Sequence, residues 1–203
     1  MPVQRLLFVP MVASLALALV VAAPAAPTTR ITVVGDSVAA ELEVQPQARA
    51  LLARGLDVDL ELTACRRLAK ESCTVAGVRP PTLLQLIAQR GSSLGAVLVV
   101  TVGYNDNDDA FGRTVDEVLA ACSRAGVRRV VWLTYRAARH DLLHMNDELR
   151  AIARRRHDLT ILDWNRYSRS HPSWFAADGV HLTPAGAQGL AAFLHARLPR
   201  LLS

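Results

Sequence analysis

In the stretch FAADGVHLTPAG, residues 175–186, Asp178 precedes His181 by three positions in a loop that feeds straight into a helical pattern. A carboxylate beside an imidazole orients the ring, and an oriented neutral imidazole can take a proton from a hydroxyl group. Such a pair calls for a nucleophile elsewhere in the chain. Ser37 meets that need: it ends GDS, Gly35–Ser37, directly after the apolar run ITVV at 31–34, with a helix expected from about Ala39. A serine at that junction lies at a helix N-terminus, where backbone N–H groups stabilise an oxyanion. GYND, Gly103–Asp106, follows another apolar run and offers Asn105, an uncharged amide donor suited to an oxygen that becomes negative only in the transition state. Taken singly, each piece has a plain explanation: a common turn, an ordinary loop asparagine, a helix-capping aspartate near a surface histidine. Their order and their shared place at strand ends are what count, and together they form a strong constellation of a hydroxyl, an amide donor and a carboxylate–imidazole pair.

The elements that must hold these residues read as alternating strands and helices. Three strands are clear, ITVV at 31–34, AVLVVTV at 96–102 and RRVVWLTY at 128–135; LDVDLEL at 56–62 and LTILDW at 159–164 are weaker. Helical spacing runs over 39–54, 81–90, 112–125, 141–156 and 184–198. Most strands are continuous apolar runs, as expected where both faces of a parallel sheet are covered. The expected fold is a three-layer α/β/α sandwich around a five-stranded parallel sheet, of flavodoxin-like type, whose ligands bind beyond the carboxyl ends of the strands. The long irregular stretches, 63–80 and 165–183, fall at that edge.

GDSV, GYND and DGVH together resemble the SGNH or GDSL hydrolases over about residues 30–200. The resemblance implies a serine esterase with Ser37, Asp178 and His181 as its triad, and Asn105 with the Ser37 N–H in the oxyanion hole. It breaks at one point: after the second strand the family has a glycine that supplies a further backbone donor, and here the chain reads LTACRRLAKESC. Any residue except proline carries an N–H. The candidates are the amides around Cys65 and Arg66, with Gly77 as a more distant option.

The 203 residues suffice for one domain. Residues 1–27 stand apart from it, with Arg5, the apolar run Leu6–Val21 and the small-residue stretch AAPAAP: the plan of a signal peptide, cut after Ala25, with 28–203 as the catalytic domain. The apolar run, broken by Pro10 and Ser14, is short for a membrane span, so an uncleaved anchor is the lesser alternative. The expected location is secreted or in the cell envelope, with no stable membrane span after cleavage. In an exported chain Cys65 and Cys73, which close the loop CRRLAKESC, are expected to form a disulfide, and Cys122 a buried free thiol.

The net charge of +5 rests almost wholly on scattered arginines; their one run, Arg154–Arg156, sits near a helix end, so nucleic acid is not the expected partner. HDLLH, His140–His144, has zincin spacing but carries Asp141 where a glutamate is needed, and Asp106, Asp108 and Asp109 lack an EF-hand pattern; no metal and no cofactor is expected. Trp132 and Trp164 read as core, whereas Trp174 could line the site or the core. His157, His171 and His195 have no evident partner. The expected partner is a small acyl ester or an acylated glycan, met by a monomer. Hydrolysis of short-chain, possibly O-acetyl, esters leads; transfer of the acyl group to an envelope polysaccharide, or glycan binding without catalysis, are the alternatives. No multi-span domain accompanies the motifs, which favours hydrolysis.

Overall fold

The computed structural model describes residues 29–106, 110–136 and 140–202. Five strands, β1 Arg30–Gly35, β2 Asp57–Leu62, β3 Val97–Val100, β4 Arg129–Leu133 and β5 Leu159–Leu162, form one sheet in the order β2-β1-β3-β4-β5. Every pairing is parallel. That order is the flavodoxin-like one, as expected from the alternation of elements.

Alternate residues of the strands feed two separate cores. Val34, Leu98, Val100, Val130 and Trp132 pack beneath α3 Leu83–Arg90, α4 Phe111–Arg124 and α5 His140–Ala153. Ile31, Val33, Val99, Val131 and Leu133 pack beneath α1 Glu41–Val44, α2 Pro46–Leu52 and α7 Pro184–His195. The short α6 Trp164–Ser168 and α8 Pro199–Leu202 complete the α-helices of the described residues, beside two 3-10 turns at Gly91–Leu94 and Pro172–Trp174. Three layers result, and the sheet is wetted only at its margins. β2 shows this in its sequence: Asp57, Asp59 and Glu61 alternate with Val58, Leu60 and Leu62, the pattern of an edge strand. Arg90 ties the acidic row, bonding Asp59 at 2.5 Å and also Glu61.

Three expectations need correction. The helix expected over 39–54 is two helices, because Pro46 has no N–H to continue the first one; it starts the second at its N-terminal position instead. The α-helix after Ser37 begins only at Glu41, after a turn closed by Ala40 N–H to Ser37 O at 3.3 Å. Trp164 does not end a strand but opens α6, whose cap is the Asp163 carboxylate. It is core nonetheless, at 3% exposure. Asp108 and Asp109, and the expected signal peptide at 1–27, lie outside the described residues.

Candidate active site

β1 delivers GDS to the carboxyl edge of the sheet. A Cβ on Gly35 would lie 2.6 Å from Thr101 Oγ1 and 2.7 Å from a Leu62 methyl, so only glycine lets the chain turn there between its neighbouring strands. Asp36 is fully buried. Its Oδ1 accepts the Val38 N–H at 3.0 Å, and its Oδ2 accepts the Gly103 and Tyr104 N–H groups, each at 3.1 Å. One carboxylate therefore clamps the GDS turn to the GYND turn. Burial pushes its acid dissociation up to about 6, against the pull of those three N–H donors. Sequence reasoning passed over Asp36; the available signal was an acid directly following a strand buried on both faces.

β3 delivers GYND. Gly103 has φ 140° and lies against the Tyr135 ring, leaving no room for a side chain. Tyr135 is itself fixed by its hydroxyl donating to Val102 O at 2.8 Å and by Asn146, which bonds both its N–H and its C=O. The following Asn105 donates one Nδ2 hydrogen to Arg66 O at 3.2 Å. An amide nitrogen carries two, so one remains for a ligand.

The DGVH loop is a small hairpin ahead of α7. Phe175 pairs with Leu182 in an antiparallel bridge, and the Ala176 N–H donates to His181 O at 2.8 Å. Thr183 caps α7 and Pro184 starts it. Asp178 Oδ1 accepts the N–H groups of Val180 and His181, at 3.0 and 3.1 Å, which is why the aspartate stands three residues ahead of the histidine. Its Oδ2 is then 2.5 Å from His181 Nδ1. The Val180 N–H, followed by the His181 imidazole and N–H, holds this carboxyl down at about 2. His181 Nε2 lies 2.9 Å from Ser37 Oγ, across 144 residues of chain.

After β2, where the expected glycine is missing, Cys65 stands with φ 69°, the left-handed conformation that glycine adopts freely. The turn Thr63–Arg66 is closed by Arg66 N–H to Thr63 O at 3.4 Å, so that amide is engaged, while the Cys65 N–H has no acceptor among the described residues. Gly77 instead occupies an exposed turn between Val75 and Val78. Cys65 is bonded to Cys73, with Cα atoms 5.3 Å apart, and Cys122 is a buried free thiol, both as expected. Burial raises the Cys122 thiol to about 12, which keeps it inert. Arg66 is buried to 1% exposure, with its guanidinium on Pro81 O and Thr63 Oγ1, and anchors the turn from within.

The remaining residues singled out by sequence fall as follows. Asp106 is no solvated loop acid: at 4% exposure it accepts the Leu68 N–H with both oxygens, at 3.2 and 3.0 Å, and faces Arg67 at 3.6 Å. Trp174 stacks nearly parallel to both Trp164 and His171, at centroid distances of 5.8 and 3.9 Å, which gives His171 a partner and ties Trp174 into the aromatic cluster about Trp164. His140 opens α5 in solvent, and His144 pairs with Glu148 at 3.1 Å. No group of three or more His, Cys, Asp or Glu side chains that could hold a metal occurs among the described residues, and no described helix is long and apolar enough to cross a membrane.

Comparison with known proteins agrees with this architecture. No family model matches the chain. It superposes on the family 3 carbohydrate esterase of Clostridium thermocellum with a TM-score of 0.62 and 14% identity, covering 87% of this chain and 98% of that one. For a carbohydrate acetylesterase family member of Sinorhizobium meliloti the values are 0.65 and 15%, over 86% and 99%. The fold is that of the SGNH hydrolases, as the three motifs led one to expect. In sequence, the chain is 26% identical over 150 residues to a Bacillus subtilis (strain 168) protein named "Putative peptidoglycan O-acetyltransferase YrhL"; the match takes in 72% of this chain and 23% of that much longer one.

Proposed function

We propose that this protein is an exported serine esterase that removes short acyl groups, foremost acetyl, from a polysaccharide. The observation that carries this reading is the continuous relay from Asp178 Oδ2 through His181 Nδ1 and Nε2 to Ser37 Oγ, at 2.5 and 2.9 Å. Ser37 Oγ attacks the ester carbonyl while His181 Nε2 takes its proton. Asp178 keeps the other ring nitrogen protonated and stabilises the imidazolium. The oxyanion rests on the Ser37 N–H, the free Nδ2 hydrogen of Asn105 and the Cys65 N–H. Without a helix start at Ser37, these individual donors carry the stabilisation. The imidazolium then protonates the departing sugar oxygen, and water, deprotonated by the same imidazole, releases the acyl group as a carboxylate.

A small acyl group is favoured by the cavity that Val38 and Leu182, the chain neighbours of Ser37 and His181, line together with Ala39, Tyr104 and others; it holds only about 20 Å³. That is about the room of one water or one methyl group. The disulfide within the domain and the name of the Bacillus relative both support a place in the envelope or outside the cell.

Transfer is the second reading, favoured by that relative's name: a sugar hydroxyl would take the place of water on the same acyl-enzyme. The test is a p-nitrophenyl ester series from acetate to octanoate, with Ser37→Ala matched in thermal stability. Turnover of acetate above all others, lost in the variant, is expected. An inactive wild type with an intact fold would remove the hydrolase reading and leave transfer or glycan binding.

A further inference from the structure

Arg136 directly follows Tyr135, beyond the end of β4 at the carboxyl edge of the sheet, and joins two of the loops that form the site. Its N–H donates to the Tyr104 hydroxyl at 2.7 Å, beside Asn105. Its guanidinium carbon lies 4.6 Å from the centre of the Phe175 ring. Phe175 is 7% exposed and bridges Leu182, the residue after His181, so the ring is a firm base beneath the cation.

What the guanidinium lacks is an acid. Arg66 has Glu61, Arg67 has Asp106, Arg150 has Asp163 and Arg156 has Asp158, whereas no carboxylate of the described residues pairs with Arg136. Its Nε is buried without any hydrogen-bond partner. A half-buried, unpaired cation with one face on an aromatic ring is poorly compensated in the free protein. A planar fork of donors in that state suits a carboxylate.

We propose that Arg136 is a specificity-determining residue that receives a carboxylate borne by the saccharide whose ester is cleaved, so that the preferred substrate is an acylated acidic glycan. The inference rests on the esterase reading of Ser37 and His181 and adds the chemical class of the alcohol. Arg136 touches neither the scissile carbonyl nor the proton relay; it contributes through substrate binding, and its loss appears mainly in KM.

The test compares an O-acetylated methyl galacturonoside with its neutral methyl ester, using wild type, Arg136→Gln and Arg136→Lys of matched melting temperature. Wild type is expected to favour the free acid by about tenfold or more in kcat/KM, the effect of one charge-assisted contact. In Arg136→Gln the preference falls to about unity, through KM; Arg136→Lys keeps an intermediate preference, because it retains charge without the fork. Added salt should narrow the wild-type preference. Equal wild-type rates on the two substrates, or a glutamine variant that slows both in the same proportion, would overturn the proposal. If wild type hydrolyses neither these nor p-nitrophenyl acetate, the esterase reading is what fails. Calorimetric titration of the free galacturonoside then decides on Arg136 alone: saturable binding lost in Arg136→Gln sustains it, and no binding to wild type overturns it.

Discussion

Asn105 and Asp36 separate two ways in which a polar side chain serves a site of this kind. The Asn105 amide makes one ordinary hydrogen bond in the folded protein, to Arg66 O. Its removal should cost stability only about 1 kcal/mol. An oxyanion donor is worth far more to the transition state, so Asn105→Ala is expected to lower kcat by about 10²–10³-fold while the urea midpoint moves little. A small loss of kcat beside a large loss of stability would remove Asn105 from the hole. Asp36 works through placement, and its burial leaves a signature in pH. Its carboxyl titrates near 6 when folded and near the ordinary 3.8 when unfolded. Between those values the folded chain holds a proton that the unfolded chain has lost. Stability is therefore highest below about pH 4 in this one contribution and falls as pH rises through 6, by on the order of 3 kcal/mol. Urea unfolding of wild type across pH 4–7 should follow that slope, and Asp36→Asn, which cannot titrate, should flatten it. Parallel slopes in the two proteins would mean that the three N–H donors keep Asp36 ionised throughout. Asp178, held at about 2, acts with the opposite sign: it adds stability above about pH 4 that is lost as pH falls towards 2, but weakly, because its side chain is 47% exposed.

The element that departs most from expectation is the turn Thr63–Arg66. A turn that needs positive φ at its third residue ordinarily selects glycine or asparagine. Cys65 fills that position at 69°, tied to Cys73 on one side and followed on the other by the buried Arg66. An alanine there would resist the conformation by about 1–2 kcal/mol, whereas glycine would accept it. The double variant Cys65→Gly/Cys73→Ala should thus retain roughly tenfold more kcat/KM than Cys65→Ala/Cys73→Ala, since only the first keeps the amide aimed without the disulfide. Equal activities would argue that the Cys65 N–H donates nothing to the reaction. This turn also marks the limit of what residue types reveal. ITVV, AVLVVTV and RRVVWLTY declared themselves as strands because burial on both faces demands unbroken apolar runs, and Ser37, Asn105, Asp178 and His181 stood out as candidate site residues because residue types suited to such chemistry recur at the edge where ligands of this fold bind. A φ angle carries no letter, so residue types led to the amides around Cys65 and Arg66 without showing which of the two stands in the conformation of a glycine. Asp106 misled for a related reason: the N–H that it accepts belongs to Leu68, 38 residues away, and a sequence window contains no such partner. Pro46 is different, since its break in the 39–54 helix was written in the chain and outweighed by periodicity.

At the scale of the whole molecule the question is which nucleophile ends the reaction. The Asp178 and His181 side chains are 47% and 45% exposed, an open placement for the proposed catalytic pair. An open pair admits a long polymer without closure of the domain around it, and it equally admits water. Transfer in water requires the opposite, because an acyl-enzyme that meets solvent freely hydrolyses before a dilute sugar hydroxyl arrives. The chain spans 23% of the length of its Bacillus relative. The expected outcome follows from the openness of the pair. With p-nitrophenyl acetate as donor and a saccharide acceptor at increasing concentration, acetate release should account for most of the p-nitrophenol formed, and acetylated saccharide for a minor share. The two products are measured together in one reaction, so their ratio is independent of how fast Ser37 is acylated. A dominant acetylated product would mean that the acceptor, seated beside Arg136 and the GYND turn, excludes water by its own binding, and the protein would then be a transferase that uses the esterase fold and triad unchanged.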